Sequence, residues 1–127
     1  MRPVSPKPKH ELARDHLEMA RKHIDEEDVG NAVNALFYAA EAAVVSIADT
    51  HGIDTKHQHR LKADAATTLH DKGVLSDDLG PLLRKLNKWR KSFWYEGEAP
   101  EIDDLDPALE DVEGLVDQAE AEQSDAT

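Results

Sequence analysis

Between Val29 and Thr50 the chain is apolar on almost every side when wound as a helix, and this dictates the architecture. Val33, Phe37, Ala40, Val44 and Ile47 fall on one side, and Ala32, Ala35, Ala39, Ala42 and Ala43 on another. A helix that offers water no face must be surrounded by other helices. Its alanines let neighbouring backbones approach closely. The most apolar part, Ala35 to Ala48, is interrupted by Glu41 and Ser46 and is too short to span a bilayer. It reads as a buried helix, and no membrane association is expected.

The flanking segments supply the partners. Ala13, Leu17, Ala20 and Ile24 recur at helical spacing, and the acidic cluster Asp25 to Asp28 with Gly30 turns the chain into the central helix. A third helix, from about His57 to Lys72, carries Leu61, Ala65 and Leu69. A fourth begins near Gly80 and Pro81, with the stripe Leu79, Leu82, Leu86, Trp89 and Phe93. The last, from about Asp106 to Glu122, presents Leu105, Leu109, Val112, Leu115, Val116 and Ala119. No segment alternates with period two over a convincing length. The expectation is an all-α, antiparallel four- to five-helix bundle: residues 10–122 form the domain, 1–9 a flexible Pro-rich arm and 123–127 a disordered tail.

Charge is segregated along this chain. The net charge is −12, yet residues 96–127 hold 13 acids and no Lys or Arg, so the remainder is almost neutral. An acidic protein ordinarily repels nucleic acid, but here the repulsion sits in one segment. Cysteine is absent, which excludes disulfide frameworks, thiolate metal sites and cysteine nucleophiles. The first 25 residues contain no apolar stretch of signal-peptide type, so a cytoplasmic location is expected. No histidine pair stands at ligand spacing with a carboxylate, and glycine-rich phosphate loops are missing, so neither a metal nor another cofactor is expected.

The fourth helix carries the chemistry. From Leu79 to Tyr95 there is no acid, while Arg84, Lys85, Lys88, Arg90 and Lys91 supply five cations. Trp89, Phe93, Trp94 and Tyr95 bring four of the six aromatic residues to its end. Cations beside rings suit the phosphates and bases of nucleic acid. The plainer alternative makes Leu82, Leu86, Trp89 and Phe93 core and pairs the cations with the acidic last helix.

The order of these features resembles the HEPN superfamily, above all its small single-domain prokaryotic members. The resemblance rests on Ala13 to Ile24, on Asn31 to Glu41, on Thr55 to His59 and on Leu86 to Tyr95, and it covers roughly residues 10–122. It implies a helical bundle that dimerises, with the arginine-bearing helices of two subunits lining a shared cleft. Many such proteins are metal-independent endoribonucleases, often toxins silenced by a nucleotidyltransferase-type antitoxin, with an Arg followed four to six residues later by His. Arg90 matches the arginine. Tyr95 stands where the histidine would be, as in a branch of these small proteins whose motif ends in tyrosine.

That substitution weakens the case for an enzyme. A tyrosine hydroxyl titrates about three units above an imidazole, roughly 4 kcal/mol further from acting as a base at neutral pH. Arg90 and Tyr95 are the candidate catalytic pair. Arg84, Lys85, Asn87, Lys88, Lys91 and Trp94 are candidates for holding phosphate or nucleic acid, and His57, His59 and Tyr38 for accessory roles. Tyr95 also has a structural reading, as the end of an aromatic cluster. Two functions follow: a toxin-like ribonuclease with a degenerate site, or a non-catalytic HEPN module that binds RNA, nucleotide or a protein such as the antitoxin. Cleavage of RNA is expected to be weak or absent.

Overall fold

The structure, a computed structural model, describes residues 7–125. The five helices are α1 (Lys9–Asp25), α2 (Val29–Thr50), α3 (His59–Asp71), α4 (Gly80–Glu96) and α5 (Leu105–Asp125), with a 3-10 turn at Ile102–Asp104 leading into α5. No strand occurs among the described residues. The all-α bundle is the architecture that the sequence pattern implies. Most of the arm expected over residues 1–9, and the last two residues of the expected tail, lie outside the described residues. α5 continues through Asp125, beyond the expected end near Glu122.

α2 is the axis. Each of the other four helices packs on it, and they do so as two pairs: α1 with α5, and α3 with α4. Phe37, Leu36, Val33, Val44 and Ile47 are fully buried, and Ala32, Ala39, Ala40 and Ala43 are without exposed surface where the other helices draw close. Truncating Phe37 to alanine would cost about 3–5 kcal/mol, the usual loss for a large buried ring. α2 is long and apolar enough to cross a membrane by length and composition, but 78% of that window is buried inside the fold.

Local chemistry sets the helix ends. Asp28 caps α2 by accepting from the backbone N–H of Asn31 at 3.2 Å. The turn before it passes through Glu27 at φ 59°. Gly30, read from sequence as part of that turn, lies instead inside α2, because Phe93 rests directly on it. A Cβ at this position would stand 2.2 Å from the Phe93 ring. α3 starts two residues later than its pattern suggests, since Lys56 and His57 adopt left-handed φ values of 51° and 57°. α4 buries Leu83 and Leu86, whereas Leu82, Trp89 and Phe93 are only partly covered. The inward face of α4 is therefore turned toward Leu83, and its Arg84, Asn87 and Lys91 edge opens toward α3.

Candidate nucleic-acid interface

That edge of α4 faces α3 across a cleft of about 290 Å³, lined by Phe37, His59, Arg60, Ala63, Leu83, Arg84, Asn87 and Lys91. The lining contains three cations and no acid. A wider depression of about 460 Å³ continues along α4, sharing Arg84, Asn87 and Lys91 and adding Lys88, Ser92, Tyr95 and Glu96. The groove of about 250 Å³ beside α5 presents Asp77, Glu110 and Asp111. Its charge would repel a phosphate chain.

Arg90 is not in the lining of the first cleft but contacts Phe37 and Asn87, which are. Its guanidinium carbon lies 4.8 Å from the Phe37 ring centroid and 6.0 Å from that of Tyr38. One terminal nitrogen donates to Asn87 Oδ1 at 2.8 Å. Nε is buried and has no hydrogen-bond partner among the described residues. A buried donor left unsatisfied costs about 1–3 kcal/mol.

Phe37 carries a second polar group. The His59 ring packs 5.2 Å from the Phe37 centroid, and its Nδ1 lies 2.6 Å from Oε2 of Glu41. Glu41 is 4% exposed, the single acid buried in the apolar helix. Lys62 approaches its other oxygen at 3.4 Å. A buried carboxylate is stable only when compensated in this way, and here two residues of α3 do it.

The remaining candidates divide. Arg84 pairs with Asp64 at 2.9 Å, and Lys85 lies 4.6 Å above the Trp89 ring. Lys88 and Lys91 make no ion pair among the described residues. Tyr38 is partly exposed and touches His16, Phe37 and Arg90. Burial beside Tyr38 holds His16 below the usual imidazole range. His57 projects from the turn before α3 and joins none of these groups. Tyr95 is 84% exposed and Trp94 is 59% exposed, the latter edge-on against Phe93 at 5.2 Å.

Four acids of α5 are engaged elsewhere. Arg14 donates to Asp117 at 2.8 Å and to Glu120 at 3.0 Å, and Arg21 reaches Glu113 at 3.0 Å. His51 pairs with Glu122 at 2.9 Å. The alternative in which the α4 cations are consumed by the last helix is thus not the arrangement found. Acids of α5 meet Arg14 and Arg21 of α1, and no ion pair joins α4 to α5 among the described residues.

Sequence reasoning placed Arg90 and Asn87 in the site and left His59 among accessory groups. It noted Glu41 only as an interruption of the apolar run. A lone acid in an otherwise buried helix was the available signal, since such a group must find a partner. Among the described residues no group of three or more His, Asp or Glu is placed to hold a metal ion.

An all-helical bundle with a cation-lined, aromatic-floored cleft between α3 and α4 is the class that fold and site define. A family model, the HEPN domain, matches residues 10–122, and the chain belongs to that family. Comparison with curated proteins and with solved structures gave no match.

Proposed function

We propose that this HEPN protein is RNA-directed, taking the phosphate backbone of a single strand into the cleft between α3 and α4. The observation that carries this reading is Arg90, 4.8 Å from the Phe37 centroid and 6.0 Å from that of Tyr38, with Nε buried and without a partner among the described residues, next to a cleft whose lining contains no acid. Arginine suits this task because its planar fork both stacks on rings and donates to phosphate oxygens. Lys91 and Lys88 supply further charge along the same edge of α4, and the exposed Trp94 offers a surface on which a base stacks. The cleft needs no metal ion for this, because the cations that meet the phosphates are its own side chains.

The test is binding of a short fluorescent single-stranded RNA, read by polarisation. Wild type binds with an affinity that falls as salt rises, and Lys91→Ala reduces the salt slope by about 0.7. Arg90→Ala weakens binding about 10- to 100-fold, the loss of one hydrogen-bonded charge. Equal affinity of wild type and Arg90→Ala would remove the basis of the proposal.

Trp94 and Tyr95 support a companion reading. Two large rings this exposed at the end of α4 fit burial against a second copy of the chain. A homodimer formed there would join two basic clefts into one longer track for RNA.

A further inference from the structure

Between Ala32 and Ala48 every residue of α2 is buried or half-buried except Tyr38, which is 37% exposed. We infer that Tyr38, with His16 beside it, forms a base-stacking subsite: one base of a bound RNA strand lies against the ring while Arg90 meets the adjoining phosphate. This subsite rests on the RNA-directed reading above and extends it to a second cleft.

The winding of α2 sets up the division. Consecutive residues of a helix point about 100° apart, so Phe37 and Tyr38 serve different sides of it. Phe37 lines the cleft between α3 and α4, whereas Tyr38 lines a smaller one of about 140 Å³ between α1, α2 and α3. Arg90 reaches both rings, with its guanidinium carbon 4.8 Å from the Phe37 centroid and 6.0 Å from that of Tyr38. Phosphate and base hang from the same ribose, so a phosphate held by Arg90 brings a base within reach of Tyr38.

The smaller cleft suits a flat ring. The His16 and Tyr38 centroids are 5.7 Å apart and the rings are inclined by 40°, an open angle rather than a closed parallel stack. Leu12, Ala42 and Val45 add apolar surface. The Tyr38 hydroxyl makes no hydrogen bond among the described residues, so no polar contact explains why this ring stands at the surface. Burial keeps His16 below the usual imidazole range, and at pH 7 its ring carries no charge. Unstacked bases of single-stranded RNA are bound on the faces of such rings. Stacking of this kind accepts any base, because each has a flat face.

The charges of the cleft agree with that occupant. Its single acid, Glu41, has His59 at 2.6 Å on one oxygen and Lys62 at 3.4 Å on the other, so its charge is met within the fold. Lys9 lines the same cleft and makes no ion pair among the described residues. It is placed to meet the next phosphate of the strand.

The experiment compares two strands of equal length, a short oligouridylate and its abasic counterpart, which keeps every phosphate and lacks the bases. Each carries a fluorescent end label, and binding to the full chain is read by polarisation at fixed salt. Wild type prefers the base-bearing strand. Tyr38→Ala weakens that strand about 5- to 150-fold more than the abasic one, the usual worth of one stacked base, while Tyr38→Phe keeps the wild-type preference. On the wild-type protein, the ring protons of Tyr38 and His16 shift with oligouridylate and stay in place with the abasic strand. Equal losses for the two strands in Tyr38→Ala, or rings that do not shift, would overturn the subsite and leave phosphate binding between α3 and α4 standing. Failure of wild type to bind either strand would remove both readings.

Discussion

At position 90 the proposed RNA-directed reading calls for a planar cation, since charge alone would not stack on the rings. The guanidinium carbon lies 4.8 and 6.0 Å from two ring centroids, and Nε is buried without a hydrogen-bond partner among the described residues. Arg90→Lys keeps the charge but gives up the flat stack, whose worth is about 0.5–2 kcal/mol. RNA affinity should then fall about 2- to 30-fold by polarisation, and an unchanged affinity would mean that Arg90 acts only as a point charge. The run of cations without acids was legible in the sequence, and the family resemblance singled out Arg90 within it. The Glu41–His59 pair was not, because its members are 18 positions apart on different helices and nothing in local spacing joins them. Tyr95 shows the opposite case. Five positions on a helix turn a side chain about 140° away, and Tyr95 is accordingly far more exposed than Arg90.

Among elements, α5 is the clearest case of charge placed to avoid interference. Its acids meet Arg14 and Arg21 on α1, and the hydrogen bonds from Arg14 hold the Glu120 carboxyl below its ordinary range while Arg14 itself is raised. Asp28, bonded to Asn31, and Asp78, bonded to Thr67 and Gly80, are depressed in the same sense. A carboxyl with a lower folded than unfolded value adds stability above its unfolded value, and that stability is lost as pH falls through the folded value. Thermal melts should therefore be nearly flat from pH 7 to about 5 and then decline below about pH 4.5. Arg14→Gln should soften the decline only slightly, because an exposed pair of this kind is worth about 0–1 kcal/mol. Stability that rises as pH falls through 4 would contradict the assignment. The helices themselves were legible through their apolar periodicity. Their ends were less so: a glycine read as a turn is helical because a distant phenylalanine occupies its missing side chain, and two residues with no turn signature take left-handed φ before α3.

Across the whole molecule, α2 acts as a partition. It carries the acidic α1–α5 pair against one part of its surface and the basic α3–α4 pair against another. A net charge of −12 is thereby compatible with a local attraction for phosphate. The sequence showed the segregation but not its direction in space, which only the packing of α5 on α1 decides. The exposed Trp94 and Tyr95 stand at the end of the basic α4, where we propose that a second copy packs. Light scattering at micromolar concentration should give a dimer for wild type and a monomer for Trp94→Asp, and a wild-type monomer would rule out a shared track. The most direct test of the central claim is a titration of single-stranded RNA into isotopically labelled protein, followed by backbone amide shifts. The account predicts that Phe37, His59, Asn87, Arg90 and Lys91 move together while α5 stays still. Shifts centred on α5, or none at all, would contradict it.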